Sequence, residues 1–180
     1  MRIISGKYKG RHFDVPRNFK ARPTTDFAKE NLFNILNNIV DFEETVALDL
    51  FSGTGSISLE LLSRGCKEVT SIEMDTLHFT HLKKCAQTLE DNNWKMVRDD
   101  VFRFIRRCTA SYDLIFADPP YALKQLKEIP DLILGSNILN EEGILVFEHG
   151  KDYDFSGHPN FFRHIAYGSV NFSFFSKRPE

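Results

Sequence analysis

The chain has 180 residues, 42% of them hydrophobic and 27% charged, which is the content of one globular domain able to bury a sizeable core. No run approaches the roughly 20 apolar residues that span a bilayer, and the opening MRIISGKYKG lacks a signal peptide's apolar stretch, so a soluble cytoplasmic protein without membrane contact is expected. The net charge of −2 hides an asymmetry: within the first 22 residues Arg2, Lys7, Lys9, Arg11, Arg17, Lys20 and Arg22 face only Asp14, so a basic arm precedes an acidic body, an arrangement suited to a polyanionic partner.

In chain order, Arg2 to Ser5 and Arg11 to Val15 flank a turn holding Gly6 and Gly10, which predicts a small β-hairpin. After Pro23, Thr24, Thr25 and Asp26 offer N-caps to a helix near 25–40 carried by Ala28, Leu32, Ile35, Leu36 and Ile39. TVALDLF (45–51) reads as a buried strand, broken by a glycine loop at 52–55, and Ile57 to Leu62 begins a helix ended by Gly65. The same beat predicts a strand at 68–73, a helix over about 76–91, a strand at 94–98, a helix over about 101–109 and a strand at 112–117. A helix over about 123–135 and a strand at 143–148 follow, and 161–167 with 170–176 form a hairpin about Gly168-Ser169. The expected fold is therefore α/β: a doubly wound, mostly parallel, seven-stranded Rossmann-like sheet with an antiparallel C-terminal hairpin and an N-terminal hairpin arm. Residues 1–24 are expected to form that arm and 25–180 one compact unit. Cys66, Cys85 and Cys108 lie far apart with no metal-ligand spacing, so reduced thiols and no metal site are expected.

Asp49-Leu50-Phe51-Ser52-Gly53-Thr54-Gly55 joins a hydrophobic strand to a helix, at the edge where doubly wound sheets bind ligands. A dinucleotide fingerprint needs a third glycine where Ser58 stands, and a phosphate-binding P-loop needs Gly-Lys-Ser/Thr, so both readings weaken. Glu73 ends the next strand, twenty residues past Gly53, where a carboxylate can accept both hydroxyls of a ribose. S-adenosylmethionine meets these demands: Asp49 lies near its ammonium, Glu73 at its ribose, and Asp100 with the backbone N–H of Val101 at its adenine. Asp99 stays open between a ligand contact and a helix N-cap.

Asp118-Pro119-Pro120-Tyr121 follows the strand YDLIFA and is the strongest signal in the chain. The prolines fix φ and remove donors, so the Asp118 carboxylate and the Pro119 carbonyl can together hold both hydrogens of an –NH₂ group. Such an amine on an aromatic base is a poor nucleophile until its lone pair is aimed at the incoming methyl. Tyr121 offers a face on which a flipped or unpaired base can stack.

With these motifs the chain resembles the RsmD family of 16S ribosomal RNA guanine-N2 methyltransferases. The likeness runs through RIISGKYKGR (2–11), RPTTD (22–26), Glu30 with LFNIL (32–36), LDLFSGTG (48–55), LSRG (62–65), DPPY (118–121), VFEH (146–149), Tyr167-Gly168 and SFF (173–175). Lys29 departs from it, standing where the family usually has arginine. The resemblance implies that Asp49, Phe51, Gly53, Gly55, Glu73, Asp100 and Val101 bind S-adenosylmethionine and that Asp118, Pro119, Pro120 and Tyr121 hold the guanine amine. It also implies that Arg2, Lys7, Lys9, Arg11 and Arg22 contact RNA, within an assembling small ribosomal subunit. A DNA amino-methyltransferase, a protein glutamine methyltransferase and a catalytically silent RNA-binding assembly factor remain as alternatives.

Overall fold

The computed structural model describes residues 1–20 and 24–178. Seven strands form one sheet: β1 (Val46–Leu50), β2 (Glu68–Ile72), β3 (Trp94–Val97), β4 (Tyr112–Ala117), β5 (Leu139–His149), β6 (Phe161–Tyr167) and β7 (Val170–Ser176). Their order is β3-β2-β1-β4-β5-β7-β6. The first five run parallel, and β7 is antiparallel to both β5 and β6. Helices α1 (Asp26–Ile39), α2 (Ser56–Ser63), α3 (Thr76–Leu89), α4 (Val101–Arg107) and α5 (Ile129–Leu134) pack around it. The strand order reverses between β1 and β4, which opens the ligand crevice of this topology at the carboxyl ends of those two strands.

The sheet buries both faces. Ala47, Val69, Leu114, Phe116 and Val146 face α1, α2 and α3, while Leu48, Leu50, Ile115, Leu145 and Phe147 face α4 and α5. Period-2 alternation across a doubly covered sheet makes near-continuous apolar runs, and that is why strands such as VALDL and YDLIFA were legible.

Two boundaries differ from the sequence reading. The single helix expected over 123–135 is a 3₁₀ turn (Leu126–Glu128) followed by α5, because Pro130 has no N–H and its ring cannot follow a continuing α turn, so the helix restarts with proline in its first turn. Strand β5 begins at Leu139, not 143: Leu139 pairs with Tyr112, and the register shifts before Leu114 meets Ile144. The turn-like NEEG sequence hid that extension behind a bulge.

The arm is a hairpin held by one antiparallel bridge, Arg2 to His12, with Ile3 N–H donating to Arg11 O and Gly10 N–H to Ile3 O. It lies across α2, all of whose residues are buried. Ile3 and Phe13 join the core with Ala28 and Leu32. Gly6 (φ +87°) passes so close to the Ser63 carbonyl that a side chain there would collide with it.

Beneath the arm, Glu60 is fully buried and accepts from Ile4 N–H (2.9 Å), Ser5 N–H (3.1 Å) and Arg64 Nε (3.0 Å). Lys29 Nζ stands 3.7 Å from Glu60 and donates to Arg2 O (2.6 Å) and Ser56 Oγ (2.9 Å). Burial lowers the Lys29 ammonium from its ordinary range, and Glu60 opposes that shift. No helix among the described residues is long and apolar enough to cross a membrane.

Candidate active site

The site is assembled at the carboxyl ends of five neighbouring strands, β3-β2-β1-β4-β5. Asp49, next to last in β1, is 1% exposed; Ser58 Oγ donates to its Oδ2 (2.5 Å). Ser58 also bonds Ser71 Oγ (2.6 Å), which accepts from Trp94 Nε1 (2.8 Å). The residue that spoils the dinucleotide fingerprint is thus a hydroxyl relay joining β1, β2 and β3. Burial pushes the Asp49 carboxyl up to about 7, with Glu73 adding to the rise and the Ser58 bond opposing it.

After Asp49 the chain reverses sharply, with positive φ at Phe51 (58°), Gly53 (54°) and Gly55 (80°). A Cβ on Gly55 would stand 2.6 Å from Leu82 Cδ2, so this glycine seats the loop against α3 and β3. Glu73, just beyond β2, is clamped: Oε2 accepts from Gly53 N–H (2.8 Å) and Oε1 from Asp75 N–H (2.9 Å). Each oxygen keeps a lone pair, so the carboxylate is fixed and can still accept from ribose hydroxyls.

Asp100 ends the β3 connection and caps α4, accepting from Arg103 N–H (3.0 Å). The cap is therefore Asp100, not Asp99. Asp99 accepts instead from Arg103 Nε (2.7 Å) and Asp100 N–H (2.9 Å), an exposed ion pair on the helix flank. The N–H of Val101 is among the first donors of α4, which no intrahelical carbonyl serves. Asp49 near the end of β1, and Glu73 and Asp100 just past β2 and β3, lie on three adjacent strands and so span roughly 10 Å of the sheet edge. The acidic and backbone groups gathered here fit S-adenosylmethionine, and none of these site residues is a lysine that could meet a phosphate chain.

Across the switch point, Asp118 follows β4. Pro119 is buried, Pro120 exposed and Tyr121 43% exposed with its ring against Gly150. The register that sets Ala117 opposite Phe147 brings Asp118 beside Glu148 on β5. Glu148 is 5% exposed; its Oε1 accepts from Tyr121 OH (3.2 Å), and its Oε2 is the one buried side-chain polar atom among the described residues without a hydrogen-bond partner. Burial raises Asp118 well above the carboxylate range, and Glu148 and Asp49 raise it further; burial also lifts Glu148 to about 7. Sequence reasoning met Glu148 only as part of VFEH and assigned it no role. Its signal was weak because an acid closing an apolar strand looks like an ordinary exposed strand end.

A cavity of about 270 Å³ is walled by Lys151, Tyr153, Phe155, His164, Asn171 and Ser173 and includes none of the residues of the Asp118–Tyr121 turn. A larger open groove of about 540 Å³, around Asn37 to Glu43 and Arg64, lies at the opposite edge of the sheet and touches none of the site residues. The residues expected to meet RNA divide. Arg2 pairs with Asp26 (3.1 Å) and Lys7 with Asp91 (3.0 Å), whereas Lys9 and Arg11 have no ion pair among the described residues, and Arg22 lies outside them.

The family model described as conserved hypothetical protein 95 matches residues 1–176. Relatives named ribosomal RNA small subunit methyltransferase D are 34% identical in Escherichia coli K12, covering 82% of this chain and 74% of that protein, and 33% identical in Haemophilus influenzae, covering 84% and 80%. A solved structure of a hypothetical protein from Thermus thermophilus superposes with a TM-score of 0.86 at 26% identity, covering 98% of this chain and 99% of that one. The fold also extends to a ribosomal protein L11 methylase from Lactobacillus delbrueckii, with a TM-score of 0.65 at 18% identity over 83% and 76% of the two chains. With its glycine loop, its clamped strand-end acid and its Asp-Pro-Pro-Tyr turn in one crevice, the chain belongs to the RsmD family of S-adenosylmethionine-dependent methyltransferases.

Proposed function

We propose that this protein methylates the exocyclic N2 amine of a guanine in small-subunit (16S) ribosomal RNA, with S-adenosylmethionine as methyl donor. The observation that carries the reading is the placement of Asp118 to Tyr121 at the end of β4, directly across the switch point from the glycine loop on β1. An adenosine laid along the β1–β3 edge would bring its methyl-bearing end to that point.

Glu73 would hold the ribose and Asp100 with Val101 N–H the adenine, while Asp49 would face the amino-acid end; Phe51, Gly53 and Gly55 shape the loop between. When bound, S-adenosylmethionine supplies an activated methyl on a sulfonium. Asp118 and the Pro119 carbonyl take one amine hydrogen each and turn the nitrogen lone pair toward the methyl. Tyr121 supplies the stacking face, and Pro120 keeps the turn rigid. Such a displacement gains chiefly from alignment and from a preorganised, poorly hydrated site.

Sequence identity with small-subunit ribosomal RNA methyltransferases over most of the chain supports ribosomal RNA as the substrate, and so does the basic arm. The assembling subunit, in the cytoplasm, is the context the acidic body favours, since bound ribosomal proteins would supply contacts that naked RNA does not. The test is incubation with labelled S-adenosylmethionine and unmodified small subunits, naked 16S RNA or duplex DNA, followed by nucleoside analysis. N2-methylguanosine that disappears in Asp118→Ala supports the reading, and label in DNA or protein refutes it.

A further inference from the structure

Glu148 is the one buried acid of the crevice that this mechanism leaves unused. Its Oε1 is engaged by Tyr121 OH, and its Oε2 has no hydrogen-bond donor within reach. An ionised oxygen sealed from water without a donor is costly, and native proteins rarely keep one without a reason. The neighbour across the β4–β5 register is the Asp118 carboxyl, itself an acceptor when ionised. Two carboxyls in contact satisfy each other when a single proton lies between them. Among the described residues no cation intervenes: the groups facing the pair are Tyr121, Asp49 and, on β7, Phe172 opposite Glu148, while His149 is turned to Ser173 Oγ and the Gly150 carbonyl.

Building on the amine-methylation reading above, we propose that Glu148 is the proton partner of Asp118, the two carboxyls sharing one proton at rest and together receiving the proton that the target amine must lose. As the nitrogen–methyl bond forms, the sulfonium–methyl bond breaks, its electron pair stays on sulfur, and the positive charge passes to nitrogen. One N–H proton then moves to the outer oxygen of Asp118, which leaves the methylated amine neutral and turns the singly charged pair into two neutral carboxyls. Loss of one proton to water as product departs restores the resting pair. Glu148 acts through Asp118 and touches no substrate atom, so it is a positioning residue. Its lift to about 7 matches a pair able to gain and release that proton near neutrality.

The test is a double-mutant cycle of Glu148→Gln and Asp118→Asn, read as single-turnover methylation of unmodified small subunits. Gln keeps the shape of the side chain and an acceptor for Tyr121 but cannot share a proton. In the native background E148Q is expected to lower the single-turnover rate constant by about 100-fold, with the half-saturating enzyme concentration and S-adenosylmethionine affinity unchanged. In the D118N background, where nothing is left to share, E148Q is expected to change the rate by less than about twofold. The native rate should also fall on the acid side near pH 7, and E148Q should displace that limb, because one carboxyl titrates where two did. Costs that add across the cycle, or a pH profile that E148Q leaves in place, overturn the proposal. If the native protein methylates DNA or protein and no RNA amine, the proposed function falls first and this inference with it, an outcome separate from an additive cycle on a working enzyme.

Discussion

In the proposed reading Asp49 would tie stability to ligand charge through one buried carboxyl. Folded, it keeps its proton up to about 7, against an ordinary value of 3.8. Between those two values the unfolded chain has released a proton that the ligand-free folded chain retains. The stabilisation from this group is therefore full below the unfolded value and is lost as pH rises through 7. A cation beside Asp49 favours the ionised form, so the bound and free states differ most where the carboxyl titrates. Affinity for S-adenosylmethionine, which carries an ammonium and a sulfonium, is expected to rise by up to about tenfold per pH unit between roughly pH 5.5 and 7, below the range where the ligand's own amine titrates. S-adenosylhomocysteine lacks the sulfonium and should show a weaker slope, and Asp49→Asn should show little slope with either. Calorimetric titration at several pH values decides the matter: a flat native profile, or an unchanged slope in D49N, excludes Asp49 as the group that meets the ligand's charge.

Helix α2 and the arm form one element in energetic terms, because Glu60 is the acceptor for both and its neighbour Lys29 has no water to turn to. Removing the carboxylate in Glu60→Ala strands the Lys29 ammonium and leaves the Ile4 and Ser5 N–H groups without their acceptor. The expected cost is about 3–5 kcal/mol in urea unfolding, together with faster proteolysis within residues 1–20. Glu60→Gln, which keeps an acceptor, should cost less, and equal costs for the two would rule out the charge as the cause. None of this was legible in the sequence, where nothing local to an acid in SISLELLS or a lysine in DFAKENLF shows that the two are buried together. The strands and the closing hairpin were legible because doubly buried apolar runs and the Gly168-Ser169 step are local signals. The turn at 118–121 was legible for the same reason, since its chemistry is contiguous. Glu148 and the Ser58–Ser71–Trp94 relay were not, because Glu148 acquires meaning only when β5 lies beside β4, and the relay only when β1, β2 and β3 lie side by side.

For the whole molecule the question is how an acidic body holds a polyanion. The basic arm is docked on the core, so its charge is presented from a fixed place, and part of it is already neutralised: Arg2 is paired with Asp26, and Lys7 with Asp91, whose side chain is almost wholly buried. Lys7 is accordingly held charged above its ordinary range, chiefly by its hydrogen bond to Asp91, and has less to gain from a phosphate. Lys9 and Arg11 have no such partner among the described residues, and Arg11 lies over the Tyr8 ring, 5.2 Å from its centroid, which preorders its guanidinium. Phosphate contacts release counterions, so each contributes to the salt dependence of binding, whereas a cation already paired with a carboxylate contributes little. Lys9→Ala and Arg11→Ala are each expected to weaken binding to 16S ribosomal RNA, most at low salt, and to reduce the slope of log K against log salt by about 1. Lys7→Ala should change that slope by much less and should lower folding stability instead, because it leaves the buried Asp91 carboxylate with only Tyr8 OH and its backbone donor. Filter binding across a salt series, run beside urea unfolding of the same three variants, separates the two roles: equal slope changes in all three would mean that the arm leaves its seat to meet RNA, since only then would the Lys7 ammonium be freed from Asp91 to face a phosphate.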